Sequence, residues 1–171
     1  MIYVCNLEEM PRQAALLAPG HLISLLPPDE QPPTPPNVAA ERHLRVEVHD
    51  IAQPIPGQVL PEPPHIAPLI GFLQARAAEQ PHDPLLIHCW AGISRSMATA
   101  LIALCLEARG REVEAAVRLR RAAPHAQPNP RIVALADTLL GRRGRLSAAL
   151  EAMGPATYAM PAPLVRLEPL D

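Results

Sequence analysis

One short stretch constrains the fold more than any other part of the sequence. Residues 84–89, "PLLIHC", are a continuous apolar run that ends in a cysteine, and the pattern "SRSMATALIALCLEARG" begins at residue 94. A run of this kind is typical of a central strand covered on both faces, and a helix that is apolar nearly all round is buried. The sequence therefore predicts a buried strand joined to a buried helix by a short turn that contains Gly92.

Short apolar runs and longer helical patterns alternate along the rest of the chain. Strands are predicted at residues 2–5, 21–26 and 44–50, and helices at 7–17, 65–80, 112–122, 130–141 and 145–153. Strands that alternate with helices favour an α/β fold with a central, mostly parallel sheet of about four to five strands and helices on both faces. The proline-rich stretches 27–37 and 54–64 are expected to be loops.

Length and charge set the domain organisation and the class of partner. A chain of 171 residues, 49% of them apolar, can bury one core of ordinary size. We expect one domain over residues 1–153, followed by a proline-rich C-terminal segment, residues 154–171, that is extended on the surface or disordered. The formal net charge of −2 lacks the basic excess that drives nucleic-acid binding, so no nucleic-acid partner is expected.

The cysteines and the N-terminal residues bear on the cellular compartment. The three cysteines, at positions 5, 89 and 105, have no C-x-x-C spacing, which indicates neither a disulfide framework nor a zinc site. Glu8 and Glu9 stand where a secretory signal carries basic residues, and no apolar run approaches the ~20 residues of a membrane span. We expect a cytoplasmic protein with no metal, no cofactor and no membrane partner, and the sequence leaves the oligomeric state open.

The turn between the buried strand and the buried helix has the features of an anion site. Backbone N–H groups at a helix N-terminus have no helical partner, and the helix dipole is positive there. Such amides can surround a tetrahedral oxyanion such as phosphate. The residues expected to supply them are Trp90, Ala91, Gly92, Ile93 and Ser94. The same amides favour the thiolate form of Cys89, and Arg95 offers a planar fork of donors to two phosphate oxygens.

This arrangement resembles the signature of a known enzyme family. The motif His88-Cys89-x5-Arg95-Ser96 is similar to the His-Cys-x5-Arg-Ser/Thr loop of the cysteine-dependent protein tyrosine phosphatases, and "HCWAGISRS" resembles the loop of their dual-specificity branch. The stretch "LRVEVHD" is similar to the strand that ends in the branch's general acid, here Asp50.

The resemblance covers roughly residues 20–141. Downstream, "LRRAAPHAQPNPRIVALAD" resembles the Arg-rich helix and Pro-Asn pair of the branch, here Pro128 and Asn129. Asp50 and Cys89 are 39 positions apart, several more than is usual in the branch. The excess lies in the proline-rich 54–64 loop.

The resemblance implies a role for each catalytic candidate. Cys89 would attack phosphorus to give a cysteinyl-phosphate intermediate, and Arg95 would hold the phosphoryl oxygens. Asp50 would protonate the leaving oxygen and then deprotonate the attacking water. Ser96 would hydrogen-bond the Cys89 sulfur as it departs. Asp50 and Ser96 also have structural explanations, as a strand-end residue and as a residue of the first helical turn.

Two residues, His88 and Asn129, are supporting candidates. The side chain of His88 is expected to point to the opposite face of the strand from Cys89 and to orient the loop by hydrogen bonding. Asn129 is similar to a residue that braces the active-site loops in the family, and it equally fits a helix cap before a proline. Trp90 is expected to be a wall or packing residue.

The composition of the loop bears on the substrate. The five positions between Cys89 and Arg95 contain no basic residue, whereas relatives that act on inositol phosphates or phosphoinositides place a basic group there, as a highly charged substrate requires. The sequence favours phosphotyrosine, or phosphoserine and phosphothreonine, on a protein. A small metabolite phosphate is the second choice. A non-catalytic module that binds phosphate groups is an alternative from another class, and such a module would typically lose the nucleophile or the acid.

Overall fold

A five-stranded sheet forms the centre of the structure, a computed structural model that describes residues 1–80, 82–168 and 170. The strands are β1 (Ile2–Cys5), β2 (His21–Leu26), β3 (His43–Glu47), β4 (Leu85–His88) and β5 (Val165–Leu167). Their order is β3-β2-β4-β1-β5, and only β5 runs antiparallel to its neighbour among the strands of the described residues. The predicted α/β fold with a mostly parallel sheet is confirmed.

Six α-helices occupy the connections in the described part of the chain. They are α1 (Met10–Leu17), α2 (Pro63–Glu79), α3 (Arg95–Glu107), α4 (Glu112–Ala122), α5 (Pro130–Leu139) and α6 (Arg145–Ala152). Among the helix starts, that of α1 differs most from the sequence prediction, which began the helix at residue 7. Asn6 Oδ1 accepts the Glu9 N–H at 2.9 Å and closes a turn before the helix begins. None of the helices described is long and apolar enough to cross a bilayer.

Helices cover both faces of the sheet, as predicted. On one face Met10 and Ala14 of α1 pack in a small core with Leu86 of β4. On the other face α2 to α6 enclose the larger core, into which Leu85 and Ile87 of the same strand point. Because alternate residues of β4 enter different cores, both faces of the strand must be apolar. This burial explains the continuous apolar run in the sequence.

The C-terminal segment contributes a strand that sequence analysis did not predict. Val165 pairs with Val4 and Leu167 pairs with Ile2 at the edge of the sheet, and both β5 side chains are buried. The expectation of a segment lying on the surface or disordered is therefore wrong for residues 165–167. A strand of three residues is too short for an alternating pattern to reveal it. The domain boundary at residue 153 stays a prediction, and Pro169 and Asp171 lie outside the described residues.

The four parallel strands have their carboxyl ends on the same side of the sheet, which places the loops that follow them together. The loop after β3 carries Asp50, and the loop after β4 carries Cys89. Ligands of open α/β sheets bind at this edge, outside the carboxyl ends of the strands. Asp83 precedes β4 at the opposite edge, where its carboxylate lies 3.8 Å from Arg42.

Candidate active site

Residues 89–94 link β4 to α3, and neighbouring segments hold the carbonyl groups of this loop. The Trp90 carbonyl accepts from Leu7 N at 3.1 Å, and the Ile93 carbonyl accepts from Gln127 N at 2.9 Å. By contrast, the N–H groups of residues 90–95 donate no hydrogen bond to any residue that the structure describes. These donors are therefore available to an anion at the positive end of α3.

Gly92 is required at its position for two structural reasons. Its φ of +73° lies in the left-handed region, which side chains disfavour. A Cβ atom added to it would lie 2.9 Å from the carbonyl carbon of Cys5 and 3.0 Å from Asn6 N. The backbone at Gly92 therefore packs closely against the end of β1. Any larger residue would displace the loop from that strand.

Cys89 and Ser96 meet at the base of the loop. Cys89 is 1% exposed, and its Sγ lies 3.1 Å from Ser96 Oγ in the first turn of α3. The two residues are seven positions apart in the sequence, and the tight turn brings their side chains into hydrogen-bond contact. A hydroxyl at this distance can donate to a sulfur that carries negative charge.

The other two cysteines are poor competitors for the role of nucleophile. Burial raises the pKa of the Cys5 thiol to about 12, and the nearby Cys89 adds to the shift. Burial likewise raises the pKa of Cys105 to about 12. Both thiols are therefore protonated at neutral pH, and the thiolate is the reactive form.

Among the described residues, no group of three or more His, Cys, Asp and Glu side chains could hold a metal ion.

Arg95 is a buried cation whose donors are only partly used. It is 5% exposed, and its Nη1 donates to the carbonyl of Val48 at 2.9 Å. Its Nε has no hydrogen-bond partner among the described residues and lies 4.0 Å from Asp50 Oδ2. A buried guanidinium with an unused donor is costly unless an anion completes its partners. An oxyanion beside Arg95 could accept from this unused donor.

The side chain of Asp50 lies directly against the loop. Its Oδ1 accepts hydrogen bonds from Ser94 Oγ at 2.7 Å and from Asn129 Nδ2 at 2.9 Å. Asn129 Oδ1 also accepts the N–H groups of Arg131 and Ile132, each at 3.1 Å. Asn129 therefore donates to Asp50 and caps α5 with the same side chain.

The long insertion after Asp50 does not move this residue away from the loop. The backbone of His49 and the backbone of Val59 are joined at 2.9 Å, and Val59 N also donates to His49 Nδ1 at 2.9 Å. These bonds close residues 49–59 into a loop with Asp50 near its base. The extra proline-rich residues therefore extend from a loop whose base is closed by His49 and Val59.

His88 belongs to a buried chain of hydrogen bonds that sequence analysis missed. Its Nε2 lies 2.6 Å from Ser24 Oγ, which lies 2.7 Å from His43 Nε2. His43 Nδ1 then lies 2.9 Å from Thr34 Oγ1 in the first proline-rich loop. The polar Ser24 inside the apolar run "HLISLL" was the available signal, because a buried hydroxyl needs a partner.

His43 and His88, the two histidines of this hydrogen-bonded chain, are neutral at physiological pH. Burial lowers the pKa of His88 to about 3, and burial together with the nearby Arg45 lowers the pKa of His43 to about 4. A neutral imidazole has one donor and one acceptor nitrogen. Ser24 has a single hydroxyl proton, so at least one of the two rings donates its Nε2 proton to Ser24 Oγ.

We expect the protein to lose stability as the pH falls below the ordinary histidine pKa of 6.5. The unfolded chain takes up protons there, while folded His43 and His88 do not until about pH 4 and pH 3. The sign is fixed because the unfolded state binds more protons in this window. Each ring should cost about 2 kcal/mol between pH 7.5 and pH 5. Denaturant unfolding at the two pH values measures this loss.

The variant His43→Gln is the control for this pH dependence. The glutamine amide can replace Nε2 opposite Ser24 but does not titrate. Unfolding of the variant should therefore take up one proton fewer than unfolding of the wild type, and its stability should depend less on pH. The comparison also separates His43 from His21 and His125, whose pKa values burial lowers as well. Equal pH dependence in the wild type and His43→Gln would contradict the assignment.

Solved structures share this architecture. The chain is similar to human DUSP28 (TM-score 0.59, 21% identity, 83% of this chain and 89% of that chain). It is similar to DUSP15 (TM-score 0.62, 18% identity, 89% of this chain and 87% of that chain). The chain has the dual-specificity phosphatase fold. The sequence matches no family model and no curated protein sequence.

Shared architecture does not by itself distinguish a catalyst from a binding protein. A human protein described as tyrosine phosphatase-like and serine/threonine/tyrosine-interacting has a similar fold (TM-score 0.59, 16% identity, 83% of this chain and 92% of that chain). The distinction depends on the side chains of the loop. In this phosphatase fold, Cys89, Arg95, Ser96 and Asp50 are brought together at one edge of the sheet.

Proposed function

We propose that the protein is a phosphatase that hydrolyses phosphomonoesters through a cysteinyl-phosphate intermediate. One observation carries the proposal. Cys89 Sγ lies 3.1 Å from Ser96 Oγ below a loop of unpaired amides, and Asp50 is held against the same loop by Ser94. A cysteine, an anion site and a carboxylic acid at one loop are the groups that phosphoryl transfer through a cysteine requires, and they support the proposal.

In the first step, the Cys89 thiolate attacks phosphorus as the bond to the leaving oxygen breaks. Loop amides and Arg95 stabilise the charge on the three equatorial oxygens. Protonated Asp50 gives its proton to the leaving oxygen.

In the second step, water attacks the phosphorus of the intermediate. Asp50, now ionised, takes a proton from that water, and the bond between phosphorus and sulfur breaks. The hydroxyl of Ser96 donates to the departing sulfur and stabilises the thiolate. Phosphate leaves, and Cys89 and Asp50 return to their starting states.

The proposed substrate is a phosphorylated protein, with phosphotyrosine first and phosphoserine or phosphothreonine second. The side chains at positions 90–94 provide no positive charge beyond Arg95, which suits a phosphomonoester of modest charge. A small metabolite phosphate is the second candidate, because the same loop would accept it.

Turnover of para-nitrophenyl phosphate by the purified protein tests the proposal. The mouse putative dual specificity phosphatase (TM-score 0.58, 23% identity, 86% of each chain) is described as complexed with zinc tungstate. Tungstate is therefore a suitable oxyanion probe, and we expect it to inhibit competitively. Tight tungstate binding without turnover would instead support a non-catalytic module. Turnover of small phosphates but not of phosphopeptides would favour the metabolite phosphatase.

Replacement of Arg95 by lysine should reduce kcat/KM at least about tenfold, or ~1.4 kcal/mol. An ammonium offers one point charge where the guanidinium spans two oxygens and follows them as the phosphoryl group flattens. Lysine also lacks the Nη1 donor that reaches the Val48 carbonyl. Arg131→Lys is the matched control, since Arg131 contacts the Pro61 carbonyl and no loop residue. A loss below tenfold in Arg95→Lys would remove it as the phosphate clamp.

A further inference from the structure

An apolar cleft continues from the phosphate loop on the side of Trp90. Trp90 directly follows Cys89 and is 57% exposed, and Met160 of the C-terminal segment is 50% exposed. Both line a cleft of about 540 Å³, which we call the Trp90 cleft. Its lining residues are Asn6, Leu7, Glu8, Trp90, Ala91, Met160, Pro161 and Ala162. Two large apolar side chains are thus exposed beside the proposed nucleophile.

The C-terminal segment forms the outer border of this surface. Thr157 N donates to the Pro124 carbonyl at 2.9 Å, and Asn6 Nδ2 donates to the Ala162 carbonyl at 3.4 Å. Arg120 donates to the carbonyl of Gly154 at 3.0 Å. These bonds attach the segment on both sides of Met160. The position of Met160 beside the loop is therefore set by contacts outside the cleft.

The cleft and the phosphate loop share residues, so a ligand of one reaches the other. Ala91 belongs to the loop and lines the Trp90 cleft, and Trp90 is the residue after the nucleophile. In an extended peptide, adjacent residues are about 3.8 Å apart. The cleft adjoins the loop through Ala91, so a residue beside the phosphorylated one is the part of a peptide placed to enter it. Glu8, an exposed carboxylate, is the one ionisable side chain of the lining.

We propose that the Trp90 cleft binds an apolar side chain next to the phosphorylated residue of a protein substrate, which makes Trp90 and Met160 specificity-determining residues. This inference rests on the phosphatase function proposed above. Apolar lining favours an aliphatic or aromatic side chain over a polar one. An acidic side chain is excluded further, because Glu8 repels it.

Phosphotyrosine peptides that differ only at the residue before or after the phosphotyrosine test the proposal. Leu, Ser and Asp are compared at each position by phosphate release, with para-nitrophenyl phosphate as the substrate that contacts the loop alone. We expect kcat/KM for the Leu peptide to exceed that for the Asp peptide at least tenfold at one of the two positions. Discrimination at neither position would overturn the proposal.

Charge substitutions at Met160 connect that preference to the cleft. Met160→Lys should reduce the Leu-to-Asp ratio at least fivefold, because it raises kcat/KM for the Asp peptide. Met160→Glu should lower kcat/KM for the Leu peptide and leave the Asp peptide a poor substrate. Leu164→Glu is the control. Leu164 is 41% exposed on the same segment but does not line the cleft, so its ratio should stay unchanged. Unchanged ratios in both Met160 variants would place the preference elsewhere and reject the proposal.

The two proposals fail in distinguishable ways. If the wild type does not turn over para-nitrophenyl phosphate, the phosphatase function is rejected and the substrate preference falls with it. If that substrate is turned over and the peptides are hydrolysed without discrimination, only the role of the cleft is rejected. Hydrolysis of small phosphates with no hydrolysis of any phosphopeptide also rejects the cleft as a peptide site.

Discussion

Cys89→Ser should lower phosphatase turnover by a factor of a thousand or more, which corresponds to about 4 kcal/mol of lost transition-state stabilisation. Serine keeps the shape of the side chain but does not form the anionic nucleophile at neutral pH. The loop amides and Arg95 are untouched, so tungstate binding should persist. Turnover of para-nitrophenyl phosphate and tungstate binding by calorimetry together separate lost chemistry from lost structure.

Cys105→Ala is the matched control for the nucleophile. Cys105 is a buried thiol of α3, the helix that follows the loop, and its pKa is raised to about 12 by burial. Its removal should leave kcat within about twofold of the wild type, with a small loss of stability from the lost packing. Retention of more than a few per cent of turnover in Cys89→Ser would reject Cys89 as the nucleophile.

Asp50→Asn should lower kcat about 100-fold or more toward phenyl phosphate and much less toward an activated ester. A phenol with a pKa of about 10 leaves slowly unless it is protonated, whereas an activated group leaves without help. Asparagine retains an oxygen that can accept from Ser94 and Asn129, so the bracing of the loop is preserved. The dependence on the leaving group therefore reports proton donation rather than folding.

The pH profile supplies a second readout for Asp50. Wild-type activity should be bell-shaped, with a basic limb that reflects the loss of the Asp50 proton, and Asp50→Asn should flatten that limb. Glu62→Gln is the control, because Glu62 is the other carboxylic acid of the 48–62 connection and stands at the start of α2. An equal loss for good and poor leaving groups, with the basic limb retained, would make Asp50 a structural residue.

Local sequence patterns were sufficient for the elements that carry the site. The apolar run before Cys89 specified β4, because a strand buried on both faces has no polar side. The pattern after Ser94 specified α3, and the spacing of Cys89, Arg95 and Ser96 predicted the loop between them. These residues lie within eight positions of each other, so the conformation of one short turn determines their geometry.

Contacts between distant segments could not be obtained from local patterns. The partnership of Asp50 with Asn129 spans 79 residues, and that of Ser24 with His88 spans 64. Each depends on which strands are neighbours in the sheet and on where their loops meet. The same is true of β5, which is too short to have a signal and exists because the exposed edge of β1 offers it hydrogen bonds.

The sequence by itself thus determined the chemistry available at the loop: a cysteine and an arginine at the two ends of a turn that opens a buried helix. The tertiary structure decided what surrounds that chemistry. It placed Asp50 against Ser94 despite the long insertion, and it attached the C-terminal segment beside Trp90. Covalent spacing fixes neighbours a few residues apart, whereas neighbours far apart in the chain are chosen by the packing of the whole sheet.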